Sequence, residues 1–164
     1  MLAIGLPGAG KSTYFARKGI VPLSSDLIRE LLYDSAADQR HPEWIFALLR
    51  DLLRHRLAAG AQTTYIDATN LTRYFRRSFL QIAREHGCAA EALYFDVPLE
   101  LCLERNRKRE NVPAGPGRKA RVVPEDALRR MARRVEPPTR EEGFSRIVVV
   151  RTSGKNSRSR AKPV

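Results

Sequence analysis

At 164 residues and 43% hydrophobic content, the chain is long enough for one domain with a real core, and wholesale disorder is excluded. No apolar run approaches the length of a membrane span, and a glycine-rich loop rather than a leader occupies the N-terminus, so a cytoplasmic protein with no membrane partner is expected. The net charge of +12 is uneven: residues 105–134 carry eleven Lys/Arg against three Asp/Glu, and residues 151–164 carry five and no acid.

Met1-Leu2-Ala3-Ile4 is a short apolar run suited to a buried strand, and Ser12 to Lys18 can continue as a helix after the intervening glycines. Val21 to Ser24 is the second strand-like run. Pro42 opens a helix that runs to Ala59, with proline in its first turn and Gly60 just past its end. Thr63 to Ile66 is a third strand, residues 72–86 a helix ended by Gly87, and Ala92 to Phe95 a fourth strand. Pro98 opens a helix to about Arg109, Pro124 opens another through Arg134, and Ile147 to Val150 is the last strand. Strands alternating with helices at this spacing predict an α/β fold, a parallel sheet covered on both faces, with ligands at the carboxyl ends of its strands. Residues 110–121, rich in proline, glycine and arginine, read as a mobile lid or connector, and the basic tail from Thr152 reads as disordered. The expected organisation is one domain over residues 1–151, with a lid at about 105–123, and a tail over 152–164. Cys88 and Cys102 are isolated, so both are expected to be reduced, semi-buried fillers without a metal or redox role.

The most specific feature is Gly5-Leu6-Pro7-Gly8-Ala9-Gly10-Lys11-Ser12, which matches G-x-x-x-x-G-K-[ST] between a strand and a helix. Its glycines allow φ > 0, so successive N–H groups point into one concavity, and the following helix adds its positive end. Pro7, Gly8, Ala9, Gly10 and Thr13 would supply the cradle for ATP or GTP, Lys11 would reach the β- and γ-phosphates, and Ser12 would hold Mg²⁺.

Asp26 follows the second strand, where a carboxylate can accept the proton of a hydroxyl that attacks a phosphoryl group. A helix N-cap is an equal reading of the same aspartate. Arg29, one turn later, can grip an anionic part of the acceptor. Asp67 ends the third strand, the usual place for a second acid near Mg²⁺, although Asp-Ala-Thr-Asn also forms turns. Asp96, followed by Val97 and Pro98, reads better as a helix start. Arg105 and Arg109 are four apart and could cover the γ-phosphate together, or belong to a solvated charged face.

In order and spacing, the phosphate loop, Ser24-Ser25-Asp26-x-x-Arg29, Asp67-Ala68-Thr69-Asn70, Glu104-Arg105-Asn106-x-x-Arg109 and Glu141-Glu142-Gly143-Phe144 resemble the polynucleotide 5′-hydroxyl kinase family. The likeness is greatest to the kinase module of bacterial RNA end-healing and sealing enzymes and covers roughly residues 1–150. It implies a P-loop NTPase of the adenylate-kinase-like type, a five-stranded parallel sheet in the order 2-3-1-4-5. It also implies ATP- and Mg²⁺-dependent phosphorylation of RNA or DNA 5′-hydroxyl ends. By position it makes Asp26 the general base, Arg29 the contact to the phosphate beside the acceptor nucleoside, and Arg105 and Arg109 the lid arginines on ATP.

Concentrated positive charge fits a polyanionic partner, though with 24 Arg to 6 Lys an arginine-rich genome gives the same composition. A kinase of a small metabolite hydroxyl, such as a sugar, nucleoside or antibiotic, is the second reading. A nucleotide-dependent RNA-binding module without transfer chemistry ranks last, because the sequence displays no aromatic stacking platform.

Overall fold

The computed structural model describes residues 1–110, 121–151 and 162–163. The centre of the expected lid and most of the expected tail lie outside the described residues. The central strand β1 (Leu2–Ile4) is buried on both faces and has parallel neighbours on either side, β3 (Ile66–Asp67) and β4 (Glu91–Asp96). β2 (Leu23–Ser24) extends the sheet beyond β3, and β5 (Arg146–Arg151) extends it beyond β4. The parallel order is therefore 2-3-1-4-5, as the family resemblance implies, with β6 (Lys162–Pro163) added antiparallel to β5.

Side-chain alternation assigns the two faces. Leu2 and Ile4 of β1 join one core cluster with Ile45, Leu49 and Leu53 of α3 (Pro42–Ala58) and Phe79 and Ile82 of α4 (Arg73–Glu85). Ala3 points the other way, to Phe15 of α1 (Lys11–Arg17), Leu103 of α5 (Leu99–Glu110) and Leu128 of α6 (Glu125–Arg133). Helices thus cover both faces, and the loops that follow β1, β2 and β3 gather at one edge.

Local chemistry moves several boundaries. β2 and β3 are two residues each, shorter than their apolar runs, because pairing begins only where Leu23 N–H reaches the Tyr65 carbonyl at 2.8 Å. A helix the strand and helix pattern did not isolate, α2 (Ser25–Tyr33), follows β2 at once. Thr72 caps α4 by accepting from Phe75 N–H at 3.4 Å. Asp96 ends β4 and pairs with Arg151 Nε at 3.0 Å rather than starting a helix. The cysteines divide: Cys102 is fully buried and Cys88 is exposed, both as free thiols.

One ion pair fastens the edge that carries these loops. Arg76 of α4 is completely buried and donates to both carboxylate oxygens of Glu142 at 2.7 Å. Its Nη1 also reaches the carbonyls of Asn70, Leu71 and Glu136 at 3.1, 3.2 and 2.9 Å. Glu142 belongs to a 3₁₀ turn, Arg140–Glu142, and accepts from Thr139 N–H at 3.0 Å. Removing the cation strands a buried carboxylate and three carbonyls, which costs about 3–5 kcal/mol for pairs of this kind. Arg76→Met should therefore lower the urea midpoint of unfolding by an amount equivalent to that loss, with an unchanged slope; a midpoint within error of the parent would contradict the assignment.

Candidate active site

The loop between β1 and α1 takes its shape from glycine at two positions. Gly8 has φ +82°, and a Cβ there would lie 2.6 Å from the Cys102 carbonyl oxygen, so the loop backbone passes directly against α5. Gly10, at φ +97°, is the N-cap of α1 and brings no side chain of its own, leaving the first-turn amides facing the loop. Lys11 Nζ turns back into the loop and donates to the carbonyls of Gly5 and Leu6 at 2.8 and 2.9 Å. An ammonium has three donors, so one is left for a phosphate oxygen.

Ser12 Oγ donates to Asp67 Oδ2 at 2.7 Å, joining the start of α1 to the end of β3. Burial pushes the Asp67 carboxyl above the ordinary carboxylate range, opposed by Lys11 and by the Ser12 hydroxyl. Burial also pulls Lys11 down to about 8, against the attraction of Asp67 and Asp26. Bringing in anionic phosphates and a divalent cation would offset both penalties. The loop, Lys11, Ser12 and Asp67 therefore fit a Mg²⁺-bound nucleoside triphosphate.

Asp26 lies on the second residue of α2, and Ser24 is the cap: its hydroxyl accepts from Leu27 N–H at 3.4 Å. The capping alternative for Asp26 is thereby overturned, and its carboxylate, 45% exposed, is available to the cavity. Oδ1 accepts from Arg121 Nη1 at 2.7 Å and from Arg29 Nη1 at 3.4 Å. Arg29 is buried, donates to the Ser25 carbonyl at 3.1 Å, and keeps Nε without a partner. Burial, with Arg121 nearby, lowers its pKa.

A small cavity collects most of these groups: Pro7, Gly8, Gly10, Lys11, Ser12, Asp26, Asp67 and Arg109 line it. Arg105 stands over the loop instead, donating to the Gly8 carbonyl at 3.3 Å. Of the other residues expected at the nucleotide, Ala9 is buried in the core and Thr13 is exposed on α1; neither lines the cavity. Arg29 opens onto an adjoining cavity of about 260 Å³ that shares Ser25, Thr69 and Arg121 with the first.

This fold and this site have counterparts among known proteins. A family model described as an AAA domain matches residues 1–138. The chain belongs to that family. It is 28% identical over 147 residues to the L-seryl-tRNA(Sec) kinase of Methanococcus maripaludis, covering 84% of this chain and 52% of that protein. The chain thus spans about half the length of this curated relative. Among solved structures it is similar to a chain of the Pnkp1/Rnl/Hen1 RNA repair complex, at 25% identity and a TM-score of 0.64, over 81% of this chain and 42% of that one. It also shares its fold with a gluconokinase from Sinorhizobium meliloti 1021, at 18% identity and a TM-score of 0.57, over 94% and 82% of the two chains. The fold is that of P-loop kinases.

Two residues of the site were not singled out from sequence. Arg121 binds Asp26 from 95 positions away, and no local pattern marks that pairing. Asn106 donates through Nδ2 to the Val123 carbonyl at 2.7 Å and accepts from Val123 N–H at 3.0 Å, tying the ends of the connector together. Its place inside Glu104-Arg105-Asn106-x-x-Arg109 was the available signal.

Lys11 supplies a pH test. With a pKa of about 8 in the free chain, it is largely neutral at pH 9 and must be protonated to meet phosphate. ATP binding at pH 9 should take up a proton, and affinity should fall as pH rises through about 8. Calorimetry in two buffers of different ionisation enthalpy measures the uptake. Lys11→Met should abolish it, and an uptake that survives the substitution would remove Lys11 from this role.

Proposed function

We propose that this chain is an ATP-dependent kinase that transfers the γ-phosphoryl group to a 5′-hydroxyl end of RNA or DNA. The observation that carries the reading is Asp26, which lines the phosphate-loop cavity while its carboxylate accepts from Arg121, shared by both cavities, and from Arg29, which lines the second. On one side stand the phosphate loop, Ser12 and Asp67; on the other, a cavity lined by Arg29, Arg121 and Arg134 without an acid among its lining residues. A hydroxyl entering from the second cavity passes the arginines that hold the Asp26 carboxylate.

ATP with Mg²⁺ supplies the transferable phosphoryl group and an electrophilic phosphorus. Lys11 and the loop amides hold its phosphates, and Ser12 with Asp67 holds the cation. Arg109, and Arg105 after leaving the Gly8 carbonyl, neutralise charge that develops on the transferred group. Asp26 accepts the hydroxyl proton, and Arg29 fixes the phosphate that distinguishes a polynucleotide end from a neutral sugar. Similarity to an RNA repair complex and to a tRNA kinase supports a nucleic-acid acceptor, as does the net charge of the 105–134 segment.

The test is a transfer assay with labelled ATP and a panel of 5′-hydroxyl RNA, DNA, mononucleotide and sugar acceptors. Asp26→Asn should lower kcat by about 10²–10⁴-fold, the usual range for removing a general base. Arg29→Ala should raise the acceptor KM more than the ATP KM. Transfer to sugars alone would overturn the acceptor assignment, and full activity in Asp26→Asn would overturn the mechanism.

A further inference from the structure

The acceptor cavity does not end at Arg29. Between α3 and α4 it continues into a second depression, and the two share Pro42, Phe46 and Phe75. At this seam Phe46 and Phe75 are stacked, with centroids 6.1 Å apart and ring planes within 24° of parallel. Tyr74 stands edge-on to Phe75 at 5.6 Å. Phe75 is 44% exposed and Tyr74 82%, so two adjoining rings on α4 are presented to solvent.

Charge along the same path is almost of one sign. The outer depression adds Arg50 and Arg77 to the inner arginines, against a single carboxylate, Glu43, which lies 3.3 Å from His41 Nδ1. Arg50, Arg77 and Arg134 make no ion pair among the described residues. Guanidiniums beside accessible aromatic faces match a chain that alternates phosphates with flat rings. Base faces are accessible in single strands and hidden in a duplex.

We propose that the groove between α3 and α4 is a single-strand track, which holds the nucleotides that follow the acceptor end. A base lies on the Phe46–Phe75 pair, and backbone phosphates meet Arg134, Arg50 and Arg77. The proposal rests on the reading of the site as a polynucleotide kinase. It extends that reading from the end of the acceptor to the strand behind it, and it favours acceptors several nucleotides long.

The experiment measures anisotropy of a 3′-labelled, 5′-hydroxyl single-stranded hexanucleotide with the full chain, alongside its transfer kinetics. Phe75→Ala and Phe75→Leu should each weaken binding about ten-fold, since leucine restores apolar packing but offers no ring to a base. Arg50→Ala with Arg77→Ala should reduce the slope of log affinity against log salt by about 1.4, near 0.7 per lost phosphate contact. KM for a nucleoside 3′-phosphate acceptor should stay within about twofold in the Arg50→Ala, Arg77→Ala double variant, whose side chains line only the outer depression, while KM for the hexamer rises with its Kd. Melting temperatures equal to the parent's would show that the fold is intact. Unchanged hexamer affinity and salt slope would overturn the track, as would an acidic peptide that competes as well as the oligonucleotide. A hexamer bound through these residues but never phosphorylated would defeat the catalytic reading alone. One phosphorylated with no dependence on them would defeat the track alone.

Discussion

The buried guanidinium of Arg76 is the constraint on which the functional edge depends. A charge with no exposure is tolerated only when its donors are used, and Arg76 spends them on the Glu142 carboxylate and on carbonyls of Asn70, Leu71 and Glu136. Those acceptors belong to the loop after β3 and to the segment between α6 and β5. Asp67 ends β3 at the start of that loop, Thr69 sits in it, and Phe75 is the residue before Arg76. The cation therefore ties down the loop whose Thr69 lines both cavities.

That arrangement explains why two short motifs far apart in the chain belong together. Glu141-Glu142-Gly143-Phe144 has no side chain at the phosphate loop. Glu142 instead completes Arg76, and Phe144 packs in the core cluster with Ile4 and Phe79. The motif positions the β3 loop from beneath. The Gly8 contact with the Cys102 carbonyl does the same from the other side, holding the phosphate loop against α5, where Arg105 and Arg109 originate.

What could be read from sequence follows from how local each feature is. The phosphate loop is legible because its chemistry is carried by eight consecutive residues, the alternation of strands and helices because β1 and β4 have clear apolar runs between helices, and the strand order only through the family resemblance. The start of α2 was less legible: Ser24, Ser25 and Asp26 can all cap a helix, and only the extended backbone of Ser24 decides among them. Arg121 on Asp26 and Phe46 on Phe75 were not legible at all. Each is a contact between elements distant in the chain, and neither residue sits in a pattern that announces its partner. The absence of a stacking platform in the sequence was thus an absence from any one segment, and the platform is assembled by packing α3 against α4.

The two carboxylates at the cavity are separated by environment rather than by residue type. Asp67 is buried, shares its oxygen with the Ser12 hydroxyl, and is raised by desolvation, so a divalent cation would relieve it. Asp26 is partly exposed and is held by guanidiniums that come from two directions, Arg29 within its own helix and Arg121 from beyond the connector. Arg121 also reaches Gln39 Oε1 at 3.4 Å, so it links the end of the connector to the segment before α3. On the proposed reading, the two guanidiniums share Oδ1, which leaves Oδ2 to accept from an acceptor hydroxyl. Arg29 is fixed beside that carboxylate by the Ser25 carbonyl, at 3.1 Å from its Nη1, and stays at the wall of the second cavity.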